Sequence, residues 1–169
     1  LNIEEDYEVS PQLIYSKTKV ENEEDIAKSL SNFIILRLGS VHGFAGDSTR
    51  YNIMVNYFAQ IASSGGEIDL HGGGNQLKSL VSINDVGRCF KFFEENEDFK
   101  SEIYHCVSEN MTVKDVSNLC KKLSEDLVIN YTDKKIPNLG YSLSNNKLLK
   151  TGFSFKYKVE DSLKDIIYS

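Results

Sequence analysis

Phe33-Ile34-Ile35-Leu36-Arg37-Leu38 is an almost unbroken apolar run that stops at Gly39. A run of that length and composition predicts a strand buried on both faces in a parallel sheet. Such a strand needs helices above and below it, and the residues on either side supply them. Upstream, Ser10-Pro11 leads into helix-forming residues as far as Ser31, with a hydroxyl to cap the helix and a proline at its first position, where a missing N–H costs nothing. Asn32 ends it. Downstream, the stretch from Gly39 to Arg50 is loop-like, with Ser40, Gly43, Gly46, Asp47 and Ser48. A loop at the carboxyl end of a buried parallel strand is where open α/β sheets place their ligands.

Helix and strand spacing alternate through the rest of the chain. Tyr51 to Ser63 carries Met54, Val55, Phe58, Ile61 and Ala62 at helical intervals before Gly65-Gly66. Glu67 to His71 alternates with Ile68 and Leu70 on one face, Gly72-Gly73-Gly74 interrupts, and Leu80 to Ile83 reads as a strand. Asn84-Asp85 then caps a helix with Val86, Cys89, Phe90 and Phe93 inward. Ile103 to Val107 is a further strand, and Thr112-Val113-Lys114-Asp115 resembles a capping box, with an acid in place of the usual Glu or Gln. A strand near Leu127 to Tyr131, a loop around Pro137 and short helices at Ser144 to Lys150 and Val159 to Ile167 complete the chain. This alternation predicts the α/β class. Only 33–38 is apolar enough for the middle of a sheet, so the other strands are expected from residues upstream of Leu1 or from another chain. The opening Leu1-Asn2-Ile3-Glu4, with no initiator Met and an acidic, irregular start, likewise predicts the later part of something longer.

Composition narrows the partners. With 19 basic against 25 acidic residues and a net charge of −6, no block of cations is available to neutralise a run of phosphates, which argues against nucleic acid. No apolar stretch reaches the ~18 residues that span a bilayer, and no signal-peptide pattern opens the chain, so a cytoplasmic protein without a membrane partner is expected. Cys89, Cys106 and Cys120 are an odd set without CxxC spacing, which reads as small buried hydrophobes. His71 and His105 lack a second ligand at metal spacing, and no metal is expected. Gly72 to Ser79 mimics a phosphate-binding P-loop, but Leu77 stands at a required glycine and a strand follows.

Tyr15 and Lys19 are four residues apart in the first helix and so share a face. A phenol of ordinary pKa near 10 is a poor base at neutral pH, whereas a fixed ammonium beside it favours the phenolate. Tyr131 and Lys135 repeat the spacing at a strand end before Pro137, where no helix would hold the two side chains together.

The neighbourhood of Tyr15 resembles the extended short-chain dehydrogenase/reductases, specifically the NAD-dependent epimerase/dehydratase family. Tyr15, Lys19 and Glu23 follow the spacing of the YxxSKxxxE block, and Leu36 to Gly43 is similar to LRxxNVYG. Tyr51 to Ala62 is similar to the family's substrate-loop helix, and Gly72 to Val86 to GxGxQxRxFVxVxDV. Ile103-Tyr104-His105 and Leu143 through Phe153 match its closing strand and tail.

The resemblance implies part of a Rossmann-like, doubly wound parallel sheet in residues 1–50 and a small α/β substrate-binding subdomain, with returning strand and helix segments, in 51–169. It implies Tyr15 as catalytic acid/base and Lys19 as its tuning group and ribose contact. Leu38, Gly39 and Val41 would meet NAD or NADP, and Ser40, His42, Asn52 and Lys78 a nucleotide-sugar substrate. The chemistry implied is hydride removal from a sugar carbon, followed by its return in an epimerase or by loss of water in a dehydratase. Ser40, His42 and Phe44 replace the family's usual Asn, Tyr and Pro, Lys78 replaces a diphosphate-binding Arg, and Gly140 sits near the place of a second Arg. The family's glycine-rich phosphate loop, ribose-binding acid and third catalytic residue have no counterpart in the 169 residues. Two other readings stay open: a non-catalytic relative that senses a dinucleotide or binds a partner, and an NADPH-dependent keto-sugar reductase. A homodimer through the helix bearing Tyr15 is also expected from the resemblance.

Overall fold

A computed structural model describes residues 2–136 and 139–169; the loop expected around Pro137 lies outside the described residues. The chain begins with β1 (Asn2–Ile3), α1 (Ile14–Ser29), β2 (Ile34–Leu38) and β3 (Ser40–His42). Helix α2 (Met54–Ser63) precedes β4 (Glu67–His71), a 3-10 turn at Gly72–Gly74 and β5 (Leu77–Ser82). Then come α3 (Ile83–Glu95), β6 (Glu102–Cys106), β7 (Glu109–Thr112), α4 (Val113–Leu123) and β8 (Val128–Thr132). Strand β9 (Ser142–Leu143) and helices α5 (Asn146–Leu149) and α6 (Val159–Ile167) follow. The expected α/β class is the observed one: β1–β9, β2–β6, β3–β5 and β4–β8 pair in parallel, and β5–β7 antiparallel.

The apolar run departs from expectation in its burial. Ile34 to Arg37 are only half-buried and Leu38 is exposed. The strand does find one neighbour within the chain, but among the described residues β2 pairs with β6 alone and its other edge is open. Helix α1 covers the strand thinly. It buries no residue fully, and only Ser16, Val20 and Glu23 are even half-buried, a single stripe at i, i+4 and i+7. The helix also starts later than its sequence suggests. Leu13 occupies the N-cap position without a side-chain cap, and the Ser10 hydroxyl instead accepts a bond from Gln12.

Other local differences have simple causes. The loop-like stretch after Gly39 contains β3, whose backbone pairs with β5 in the register Ser40–Leu80, Val41–Val81 and His42–Ser82. Ser82, not Asn84-Asp85, caps α3 by accepting the Asn84 N–H at 3.3 Å. Phe90 points outward, and Phe92 and Phe93 pack inward. The capping box at α4 forms as expected: the Thr112 hydroxyl accepts the Asp115 N–H at 3.0 Å and the Asp115 carboxylate accepts the Thr112 N–H at 3.0 Å.

Two apolar clusters hold the elements together. One joins α2, β4, α4 and α6 through Val55, Phe58, Ile68, Leu70, Val116 and Leu163. The other joins α3, β5 and β6 through Val81, Val86, Cys89, Tyr104 and Cys106, with Leu148 and Phe153 from the tail. Asp85 ties that tail down. Fully buried, it accepts the backbone N–H groups of Lys156 and Tyr157 at 3.0–3.1 Å and pairs with Arg88. Among the described residues no helix is long and apolar enough to cross a membrane.

Candidate functional site

The carboxyl end of β2 opens onto a cavity of about 300 Å³. Leu38, Gly39 and Ser40 form one wall, Lys78 and Ser79 of β5 a second, and Gly140 and Tyr141 the third. Leu38, Gly39, Ser40 and Lys78, all selected from sequence, therefore converge here. Gly39 is demanded by contact as well as by position: a Cβ there would lie 2.7 Å from the Ser79 carbonyl oxygen, so only glycine lets the two backbones approach this closely. Lys78 is exposed, and no hydrogen bond or ion pair ties its ammonium to another described residue. A lone ammonium on a cavity wall suits an anionic group.

On the third wall the sequence pointed to Gly140 but not to Tyr141. Leu77 N–H donates to the Leu139 carbonyl at 2.7 Å. Leu143 N–H donates to the Ser79 hydroxyl at 3.0 Å, and Asn110 Nδ2 donates to the Leu143 carbonyl at 2.9 Å. Between these ties Gly140 takes a φ of +75°, and a Cβ on it would run into the Leu77 carbonyl oxygen. The turn thus requires glycine, and it delivers Tyr141 to the cavity.

The remaining candidates stand elsewhere. Tyr15 is 71% exposed and Lys19 Nζ lies 5.5 Å from its ring centroid, so helical spacing does bring the phenol and ammonium together. Both flank the stripe by which α1 touches the body, and neither lines the cavity. Val41 turns inward against the second core cluster. Asn52 is exposed in the turn before α2, while Asn56, one helical turn later, is buried and clamps the loop after β3. Its side chain accepts from Gly43 N at 3.0 Å and donates to the carbonyls of Gly43 and Arg50 at 3.2 Å.

His42, expected at a substrate, is buried against α6. It is 1% exposed and its Nδ1 meets the Ser162 hydroxyl at 2.9 Å. Burial pushes its pKa down to about 4, against a smaller opposing pull from Asp85. The fold therefore holds His42 neutral, whereas the unfolded chain binds a proton below its ordinary value of about 6.5. The contribution to stability is present in full above that value and is lost as the pH falls from there through about 4. The loss attributable to this residue is expected to reach about 3 kcal/mol. It should be read as the difference between wild type and His42→Asn in denaturant titrations from pH 7 to pH 4; parallel pH dependence in the two proteins would show that His42 is not the cause.

All three cysteines are buried and free. Burial pushes the Cys120 thiol up to about 12, and a hydrogen bond with Cys89 and burial raise that of Cys106. The Cys106 and Cys120 thiols stay protonated, and all three cysteines pack as small hydrophobes. Among the described residues no cluster of His, Cys, Asp and Glu is placed to hold a metal ion.

No family model matches the chain. Dihydroflavonol 4-reductase of Gerbera hybrida is 30% identical over 92 residues, which are 52% of this chain and 24% of that protein. The chain thus spans about a quarter of the length of the curated relatives it matches. Among solved structures, UDP-glucose 4-epimerase of Thermotoga maritima with UDP-glucose superposes with a TM-score of 0.82 at 22% identity, over 98% of this chain and 56% of that one. UDP-glucose 4-epimerase of Thermus thermophilus in complex with NAD gives a TM-score of 0.80 at 19% identity, over 99% and 57%.

Proposed function

We propose, for a chain with the fold of the extended short-chain dehydrogenase/reductases, that it is the substrate-binding part of an NAD(P)-dependent epimerase or dehydratase acting on a nucleotide sugar. The observation that carries this reading is the convergence of Gly39, Ser40 and Lys78 on one cavity at the carboxyl end of β2, in a fold shared with a structure that holds UDP-glucose. Residues 1–50 would contribute to the dinucleotide-binding sheet and 51–169 mainly to the substrate side. The open edge of β2 and the exposed face of α1 would meet the remainder of that sheet.

The donor set fits the chemistry. Lys78 would bind a phosphate oxygen as a point charge, without the bidentate fork an Arg offers. Ser40 would hydrogen-bond the sugar, and the bare backbone at Gly39 would admit the nicotinamide end of the cofactor. Tyr15 would take the hydroxyl proton of the sugar, with the Lys19 ammonium over its ring on the same helical face. NAD(P), when bound, supplies a hydride acceptor and donor.

A second reading, reduction of a carbonyl with NADPH, is favoured by the identity with a dihydroflavonol reductase and by the single cation among the described residues of the cavity. The test is to titrate the 169-residue chain separately with UDP-glucose and with NAD, following backbone amide resonances. UDP-glucose is expected to perturb residues 38–40, 78–79 and 140–141, and Lys78→Ala to weaken that binding about tenfold, as loss of one charged contact does. NAD is expected to bind weakly, because its proposed contacts here are two exposed side chains of α1 and one short wall. Tight, stoichiometric NAD binding would overturn that expectation. Shifts confined to residues far from the cavity would overturn the assignment of the substrate site.

A further inference from the structure

Away from the cavity, a cluster of charges gathers on the face of the β2–β6 pair. Arg37 Nε donates to both Glu23 carboxylate oxygens at 3.0 and 3.1 Å, and Nη2 donates to one of them at 2.6 Å. On the other side, Nη1 donates to the Glu5 backbone carbonyl at 3.0 Å. Glu5 is anchored in turn, because its carboxylate accepts the backbone N–H of His105 at 2.7 Å. His105 is the register partner of Arg37 across the strands, and its Nδ1 meets the Ser144 carbonyl at 3.1 Å.

We propose that Arg37 is a positioning residue that fixes the height and rotation of α1, and so sets where Tyr15 and Lys19 stand relative to the cavity that starts at Leu38. The inference rests on the reading of Tyr15 and Lys19 as the proton-handling pair. Three observations support it. Helix α1 has little else to hold it, since its contact with the body is the half-buried stripe Ser16, Val20 and Glu23. Among the described residues, Glu23 makes the side-chain hydrogen bonds that join α1 to another element. The pair is partly shielded, with side-chain exposures of 23% for Arg37 and 21% for Glu23, so it is screened less than a surface ion pair.

The placement makes the effect specific. Glu23 lies one helical turn beyond Lys19, about 6 Å along the axis at about 1.5 Å per residue, and Arg37 lies two residues before Gly39. One guanidinium therefore links the helix carrying the phenol to the strand end that begins the cavity. Its planar fork fixes orientation as well as distance, which a lysine ammonium does not. A displacement of about 1 Å at reacting groups can cost about a hundredfold in rate.

The test uses spin labels at Asp25→Cys on α1 and Gln60→Cys on α2, both exposed positions, with the three native cysteines sealed in the interior. Electron–electron resonance then measures the spread of distances between the helices. Arg37→Lys and Glu23→Gln are expected to broaden the distribution, and Arg37→Met to broaden it further, while circular dichroism and the resonances of Lys78, Ser79, Gly140 and Tyr141 stay unchanged. In the NAD(P)-dependent protein assayed with UDP-glucose, Arg37→Lys is expected to lower kcat about tenfold or more with little change in KM. A distribution as narrow in Arg37→Lys and Glu23→Gln as in wild type overturns the proposal. Should Arg37→Met fail to fold, the two milder variants still decide it. An unchanged rate in Tyr15→Phe would defeat the underlying enzymatic reading instead, and leave the distance measurement to judge the helix alone.

Discussion

Replacing Tyr15 by Phe is expected, on the proposed reading, to lower kcat with UDP-glucose by about 10²–10⁴-fold, the usual contribution of a positioned acid or base. The change deletes one hydroxyl on a side chain that is 71% exposed and makes no packing contact in either core cluster. Thermal stability should therefore stay within about 0.5 kcal/mol of wild type, as for other surface substitutions. Binding of UDP-glucose should weaken by no more than one hydrogen bond, because the walls of the cavity are built without Tyr15. The combination is diagnostic: lost turnover with retained fold and retained substrate binding belongs to a group that acts on a proton. A fall in stability or affinity that accounts for the loss would assign Tyr15 a structural role.

Asp85→Ala is expected to cost about 3–5 kcal/mol of stability, in the range found when one member of a buried charged network is removed. Asp85 is fully buried and satisfies two backbone N–H groups in addition to Arg88. Truncation would leave the amides of Lys156 and Tyr157 without an acceptor, at about 1–3 kcal/mol for each unsatisfied group. Arg88 is less costly to orphan, since it is 30% exposed and also donates to the Ser154 carbonyl. The segment that Asp85 holds leads directly into α6, whose Ser162 meets His42. Urea titration should therefore show the loss, with hydrogen exchange rising first in residues 153–163. A change under about 1 kcal/mol would mean that water replaces the carboxylate without penalty.

What the sequence disclosed follows from the range of the forces involved. Helices α2 and α4, strand β4 and the capping box at Thr112 depend on spacing within a few residues, and their patterns stand out along the chain. The burial of β2 depends on which strands flank it, and an apolar run has the same composition whether one edge or both are paired. Tyr15 and Lys19 are neighbours by helical geometry alone, so their pairing was legible. Whether they face the cavity depends on how α1 is docked, which the sequence leaves to Arg37 and Glu23. The strands β1, β7 and β9 are two to four residues long, too short for alternation to register. Tyr141 entered the cavity unannounced because its wall is built by contacts with Leu77, Ser79 and Asn110, residues remote in the chain. His42 shows the opposite case. A histidine in a glycine-containing segment after a strand suggests ligand contact, but three residues of β pairing turned it toward Ser162.

The sealing of Cys89, Cys106 and Cys120 has a practical corollary for the protein's chemistry. A thiol sealed from water is out of reach of dissolved oxidants and alkylating reagents. The folded chain therefore offers no thiol to reagents in its surroundings, and that reactivity returns only when the core opens. Uptake of a thiol-specific reagent would thus serve as an intrinsic clock for global unfolding.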